Sequence, residues 1–324
     1  MAVKSAAQNT LRRSLLYVPG SSQRFLDKSR SISADCVTYD LEDSVTPSLK
    51  DDARKLVRQA LDQPQPAGIK ERAVRINSVS SGLALADLIE VCKSPNLSTI
   101  VIPKVDAASD LTFVTDVIAH QTSSSSSSSN PNPKRNITLL ALIESARSLT
   151  NLNQICAAAP GVLSGLIFAA EDFAKDLSIT RTASLSEFLY ARSMIVTAAR
   201  AAEVPSVIDL VCTAYKGEAG RGVLEEEARG GKGLGFNGKQ CIHPTQVGVV
   251  ERVFSPEGEE VEWAVRVVIA DEKAARAGRG AWSLDGKMID VPVAEKARAV
   301  VARARLCGVP VEEVMEKWKG QEPE

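Results

Sequence analysis

Eight short runs of β-branched and apolar residues recur along the first three quarters of the chain, each followed by a stretch with helical periodicity. They are RSLLYVP (13–19), CVTYDLE (36–42), RAVRIN (72–77), STIVIPKV (98–105), ITLLALIE (137–144), GLIFAAED (165–172), SVIDLV (206–211) and KQCIHP (239–244). Between them, segments such as SLKDDARKLVRQAL (48–61) and LSEFLYARSMIVTAARAAEV (185–204) repeat apolar positions near the helical period. Eight strands alternating with helices predict an α/β fold, a parallel (β/α)8 TIM barrel rather than a doubly wound open sheet. The barrel is predicted over 12–254, after a short leader (1–11), and a helical extension occupies 255–324. That extension contains WAVRVVIADEKAARAG (263–278), a Gly-containing turn and PVAEKARAVVARARLCG (292–308). A Ser-rich insertion, QTSSSSSSSNPNPKRN (121–136), is read as disordered, because it has too little apolar surface to offset the entropy of ordering.

Composition narrows the function class. A formal charge of -1 and 44% apolar residues describe a soluble globular chain with no basic field for nucleic acid. No apolar run approaches the roughly 20 residues that cross a bilayer. Six scattered cysteines without a C-x-x-C pair, and two histidines, fit reduced intracellular thiols and offer little for a zinc site. The first 26 residues hold no acid and include Lys4, Arg12, Arg13 and Arg24. A strand begins by Ser14, so the expectation is a cytoplasmic location, with the mitochondrial matrix as the alternative.

In such a barrel the C-terminal ends of the strands face the active site. This rule selects Asp40, Glu42 and Asp43 after strand two, Arg75 and Asn77 on strand three, and Lys104 on strand four. It adds Glu144 on strand five, Glu171 and Asp172 on strand six, Asp209 on strand seven and His243 on strand eight. So many carboxylates raise one another's pKa unless counter-charged, and a divalent cation is the economical solution. Oxygen donors without clustered His or Cys point to Mg2+, with Mn2+ as the alternative. Spacing admits two ligand pairs: Asp40 with Glu42, on one side of their strand, or Glu144 with Asp172, on adjacent strands. Lys104 is read as a salt bridge to the acid ring rather than a Schiff-base lysine, and His120 as an exposed surface residue. GLGFNG (233–238) matches G-x-G-x-x-G but precedes a strand, so it is read as turn glycine.

In order, RRSLLYVPGSSQRFLDKS, YDLEDSV, VRIN, VIPKVD, LIESARSL, AAEDFAKDL and GKQCIHPTQV resemble the HpcH/HpaI aldolase/citrate lyase family. The likeness is to its citrate lyase beta-chain-like members, which include malyl-CoA and citramalyl-CoA lyases, and the tail's LDGKMIDVP (284–292) extends it. The resemblance implies Glu144 and Asp172 as Mg2+ ligands and Arg75 as the anion-binding arginine. It places Tyr17, Arg24 and Lys28 at the coenzyme A end, bordered by Ile242 and His243 of the CIHP turn. Asp290 becomes a proton carrier brought over a barrel mouth, often a neighbouring subunit's, in a homo-oligomer such as a trimer or hexamer. Asp40 and Glu42 then complete the catalytic set by holding water and countering Arg75, while Asp43 organises the following turn from the other side of the strand. The implied reaction cleaves or forms a 3-hydroxyacyl-CoA, giving an acyl-CoA and a 2-oxo acid. Two rivals stay open: a metal-dependent 2-oxo-acid or sugar-acid aldolase working without coenzyme A, and a thioester-binding subunit of a larger complex. Thioester hydrolysis by the same residues is a further variant.

Overall fold

A computed structural model describes residues 10–123 and 136–324. Residues 1–9 of the expected leader and 124–135 of the Ser-rich insertion lie outside the described residues. Eight strands close a parallel barrel: β1 (Ser14–Pro19), β2 (Ala34–Asp40), β3 (Ile69–Arg75), β4 (Thr99–Ile102), β5 (Thr138–Ile143), β6 (Leu163–Phe168), β7 (Ser206–Asp209) and β8 (Gly238–Cys241). Each strand pairs with the next, and β8 returns to β1. The barrel helices are α1 (Gln23–Ser29), α2 (Lys50–Asp62), α3 (Ala84–Val91), α4 (Ala108–Ser123), α5 (Ala146–Thr150), α6 (Leu152–Ala157), α7 (Ala170–Leu177), α8 (Leu189–Ala201), α9 (Gly217–Leu234) and α10 (Pro244–Phe254). Several strands end before their apolar runs do, since the last residues leave the ladder to form the rim. GLGFNG spans the end of α9 and the turn into β8, with Gly235 at φ +98°.

Alternation along each strand sorts side chains between two cores. Val37, Tyr39, Val74, Ile76, Ile100 and Ile102 face the helices. Leu15, Cys36, Ala73, Val101, Leu140, Leu142, Ile167 and Ile208 fill the barrel interior. Every second residue from β5 onward, Thr138, Leu140, Leu142 and Glu144, therefore reads polar, apolar, apolar, acidic from the N-terminal end of the barrel to its mouth. At the N-terminal end, buried Arg12 grips Glu71 through Nε at 2.6 Å and Nη2 at 2.8 Å. Its Nη1 donates to the Ser164 carbonyl and to Ser206 Oγ, both at 3.1 Å, and Thr99 donates to Glu71.

A second compact unit covers Ser255–Glu324. It contains α11 (Gly258–Arg276), a hairpin of β9 (Trp282–Leu284) and β10 (Lys287–Ile289), α12 (Val291–Leu306) and α13 (Val311–Trp318). The expected Gly-containing turn is the tip of this hairpin. Asp285 and Gly286 both take positive φ there, 51° and 72°, as a tight two-residue hairpin requires. Val261, Val265, Leu284, Ile289, Ala297 and Val301 form the unit's own core. Among the described residues no helix is long and apolar enough to cross a membrane, and six free cysteines are present, five of them buried.

Candidate active site

The mouth begins with a turn. Gly20, after the first strand, donates its N–H to the Asp40 carbonyl at 2.9 Å. A Cβ there would sit 2.6 Å from that carbonyl oxygen, so the chain needs glycine to come this close. Register then sets Asp40 directly opposite Arg75 on the neighbouring strand. Asp40 Oδ1 and Oδ2 accept from Arg75 Nε and Nη2 at 2.7 and 2.8 Å. The same two oxygens accept the backbone N–H groups of Glu42 (2.9 Å) and Ser44 (3.1 Å). Burial works against the ionised Asp40, but the Arg75 hydrogen bonds outweigh it and hold the carboxyl below the usual range.

Here one expectation is corrected. Asp40, not Asp43, organises the turn after the second strand, because its two oxygens are what the rim N–H groups meet. Asp43 is more exposed and lies on the same side as the cluster, 3.7 Å from Arg75 and 3.8 Å from Lys104. Lys50 closes the turn from behind, donating to the Leu41 and Glu42 carbonyls at 2.6 and 2.7 Å.

Glu42 is buried between two cations, with Arg75 Nη1 at 3.1 Å and Lys104 Nζ at 2.5 Å. Its Oε2 faces the Arg75 Nη1 as an ion pair without an aligned hydrogen bond, and burial raises the carboxyl's pKa despite both cations. Lys104 thus forms the expected salt bridge. Its backbone N–H also donates to Glu144 Oε1 at 2.9 Å. Lys104 holds φ +51°, a left-handed conformation that costs a non-glycine residue about 1–2 kcal/mol.

Glu144 follows the fifth strand. The SAR residues behind it fix its position: Ser145 caps α5 in a capping box with Ser148 and donates to Asp106 at 2.5 Å. Asp172 sits in the first turn of α7, where the helix dipole favours a carboxylate. Glu144 and Asp172 line the same cleft, and Glu144 is pushed up to about 8 by burial, by the charge of Glu42 and by its interaction with Asp172. Two carboxyls sharing one buried site favour a bound proton or a cation.

Tyr17 lies under this cluster, with the Arg75 guanidinium 4.7 Å from its ring centre and its hydroxyl donating to Gln240 Oε1 at 2.9 Å. Burial, above all, raises the phenol's pKa, so it stays protonated. Gln240, which the strand-end rule passed over, donates in turn to the Phe168 and Asp209 carbonyls at 2.8 and 3.2 Å. Its position inside the KQC run, two residues before Ile242, was the available signal.

Two selected residues turn away from the mouth, and a third reaches it already engaged. Asp209 points outward to Arg192 on α8, at 2.6 Å. Asn77 donates both its backbone N–H and its side-chain amide to Asp87 on α3, each at 2.7 Å. Glu171 lines the cleft but is tied to Arg181, which also holds Glu227 at 2.7 Å. A strand-end position fixes height along the barrel, but parity beyond the last ladder bond does not fix direction.

The cleft of the acids, about 450 Å³, is lined by Tyr17, Asp40, Arg75, Glu144, Asp172 and Ile242. Through Tyr17, Pro19 and Ile242 it shares a wall with a second, mostly apolar pocket of about 230 Å³ bearing Phe25, Lys28, Ile32 and His243. His243 Nδ1 pairs with Thr245 Oγ1 at 2.8 Å, and its ring stacks on Tyr215. Arg24 is exposed on α1, and His120 is exposed on α4. Asp290 belongs to the C-terminal unit, where it caps α12 by accepting from Val293 N–H at 3.2 Å.

Residues 13–244 match the family described as HpcH/HpaI aldolase/citrate lyase. Human citramalyl-CoA lyase, mitochondrial, is 34% identical over 301 residues, which cover 90% of this chain and 85% of that protein. Citrate lyase subunit beta of Escherichia coli (strain K12) is 36% identical over 298 residues, covering 92% and 95%. Among solved structures, CitE of Mycobacterium tuberculosis in complex with magnesium, acetoacetate and coenzyme A superposes with a TM-score of 0.70. The identity is 27%, with 92% of this chain and 99% of that chain covered. With the family match spanning the barrel and relatives at 34–36% identity over about nine tenths of its length, the chain belongs to the HpcH/HpaI aldolase/citrate lyase family.

Proposed function

We propose that this chain is a Mg2+-dependent carbon–carbon lyase that cleaves or forms a 3-hydroxyacyl-CoA of the malyl-CoA or citramalyl-CoA kind. The observation that carries this reading is the meeting of Glu144 and Asp172 beside Arg75, at one end of two pockets that share Tyr17, Pro19 and Ile242. Two carboxyls on one cleft suit a hard cation that takes one or two carboxylates and keeps its waters. The donor set therefore fits Mg2+, held by Glu144 and Asp172, with Mn2+ as an alternative. When bound, the ion would supply Lewis-acid polarisation of the substrate's hydroxyl and carboxylate oxygens.

The chain's own residues supply the rest. In cleavage, the bond between C2 and C3 of the acyl chain breaks, its electron pair passes to the thioester enolate, and the hydroxyl loses its proton as the 2-oxo acid forms. Arg75, held rigid by Asp40 and Tyr17, places a fixed fork where negative charge grows on the thioester oxygen. Glu42, whose buried Oε2 pairs with Arg75 without an aligned hydrogen bond, would hold a water or a proton at the rim. Asp290 returns a proton to the enolate; it is flanked by exposed Met288 and Val291, which suit docking over the mouth of a neighbouring copy in a homo-oligomer. The apolar pocket with Lys28 and His243 would take the coenzyme A arm, and the enzyme works in the cytosol or the mitochondrial matrix.

The deciding experiment is a panel of acyl-CoA thioesters and free hydroxy-oxo acids, with and without Mg2+, assayed for free thiol and 2-oxo acid. Mg2+-dependent release of a 2-oxo acid from a thioester, with no free thiol, is the expected result. Cleavage confined to free acids would overturn it in favour of an aldolase working without coenzyme A.

A further inference from the structure

Among the described residues, five that are not glycine hold positive φ: Lys104, Ser178, Leu185, Glu203 and Asp285. Ser178 caps the end of α7, Leu185 precedes a 3-10 turn, Glu203 follows the end of α8 and Asp285 forms the hairpin tip. Helix ends and tight turns commonly take this conformation. Lys104 does neither job. It stands at the rim two residues after β4, between the second-strand and fifth-strand sides of the mouth, and its strain has no local explanation. Backbone strain of this sort is kept where the surroundings over-determine it.

Its contacts supply the explanation. The backbone N–H meets Glu144 Oε1 at 2.9 Å. The ammonium meets Glu42 Oε1 at 2.5 Å and has Asp43 3.8 Å away. Glu42 in turn lies 3.1 Å from Arg75. One residue therefore ties the carboxyl assigned to the ion to the acid that flanks the arginine, from opposite ends of its own covalent frame. We propose that Lys104 is a positioning residue that sets the spacing of the mouth: its left-handed backbone orients Glu144 for Mg2+, and its ammonium orients Glu42 against Arg75.

The proposal rests on the reading that Glu144 and Asp172 hold Mg2+, and it divides the two duties between backbone and side chain. Glycine takes positive φ freely, so Lys104→Gly keeps the first duty and loses the second. Methionine keeps the length of the side chain without its charge. Valine, β-branched, resists positive φ and loses both. The full chain, stripped of metal, is titrated with Mg2+ by calorimetry, and kcat and KM are measured on the thioester that wild type cleaves. Lys104→Gly and Lys104→Met are expected to keep Mg2+ affinity within about threefold while kcat falls about tenfold, and Lys104→Val is expected to lose Mg2+ affinity by about tenfold or more. Equal Mg2+ affinity in the Gly and Val variants would overturn the proposal, as would a kcat retained in both Gly and Met variants. Should Lys104→Val not fold, the Gly and Met variants decide alone: affinity lost in both refutes the backbone role. Glu144→Ala is the reference. If it leaves wild-type Mg2+ affinity unchanged, the metal reading fails and this proposal with it; if it abolishes binding while the Lys104 series shows no split, only this proposal fails.

Discussion

The barrel buries charge at both ends, and the two ends treat it differently. At the N-terminal end Arg12 and Glu71 satisfy each other twice, and the remaining donors and acceptors find Ser164, Ser206 and Thr99. At the mouth, Asp40 and Glu42 crowd around Arg75 and Lys104 beside Glu144 and Asp172; one Glu42 oxygen faces Arg75 without an aligned hydrogen bond and Glu144 is pushed toward holding a proton. A saturated buried network contributes to stability, whereas an unsaturated one retains electrostatic free energy that a ligand can release. The same residue types thus act as structure at one end and as a site at the other.

Four experiments would break or sharpen this contrast. The largest effect is expected from Glu144→Ala or Asp172→Ala, which should lower Mg2+-dependent turnover about a thousandfold or more with the circular dichroism spectrum unchanged. Full activity in either variant with Mg2+ still bound would remove the mouth from the chemistry. Next, Arg12→Met strands Glu71 in the barrel and should cost about 3–5 kcal/mol in unfolding free energy. The kcat of the surviving folded fraction should match wild type, and a kcat loss without a stability loss would dissolve the distinction between the ends.

Arg75→Lys keeps a charge but loses the fork held by Asp40, so kcat should fall about a hundredfold with a smaller change in KM; an unchanged kcat would exclude Arg75 from transition-state binding. The mildest test is pH. Because the Glu144 carboxyl is raised to about 8 from the ordinary carboxylate range near 4.5, the metal-free fold binds a proton that the unfolded chain releases. Its contribution to stability therefore declines as pH rises from about 4.5 to 8, and Mg2+ must displace that proton. Mg2+ affinity should rise with pH, by up to about tenfold per unit, and level off above about 8; a flat profile in calorimetric titrations from pH 6.5 to 8.5 would show the pair already ionised.

Much of the site was legible because strands in a closed parallel barrel all present their C-terminal ends to one face. That rule reached Asp40, Arg75, Lys104, Glu144 and Asp172 without coordinates. It misjudged Asn77 and Asp209, and strand alternation set Asp43 on the wrong side, since past the last ladder hydrogen bond alternation no longer dictates which way a side chain turns. It missed Gln240, whose importance lies in partners from three other strands. The strain at Lys104 was invisible, because nothing in VIPKVD marks its lysine as left-handed.

The chain's periodicities by themselves determined the barrel, its polar-to-acidic gradient from one end to the other, and the motif order that marks the family. These are local or repeating patterns, and two-residue and helical periods encode them directly. Only the closed tertiary structure decided which charges meet: Arg75 with Asp40 through strand register, Glu144 after β5 with Asp172 in the first turn of the helix after β6, and Lys104 between Glu42 and Glu144. Pairings across such sequence distances follow from closure and packing of the whole barrel, and no single segment contains them.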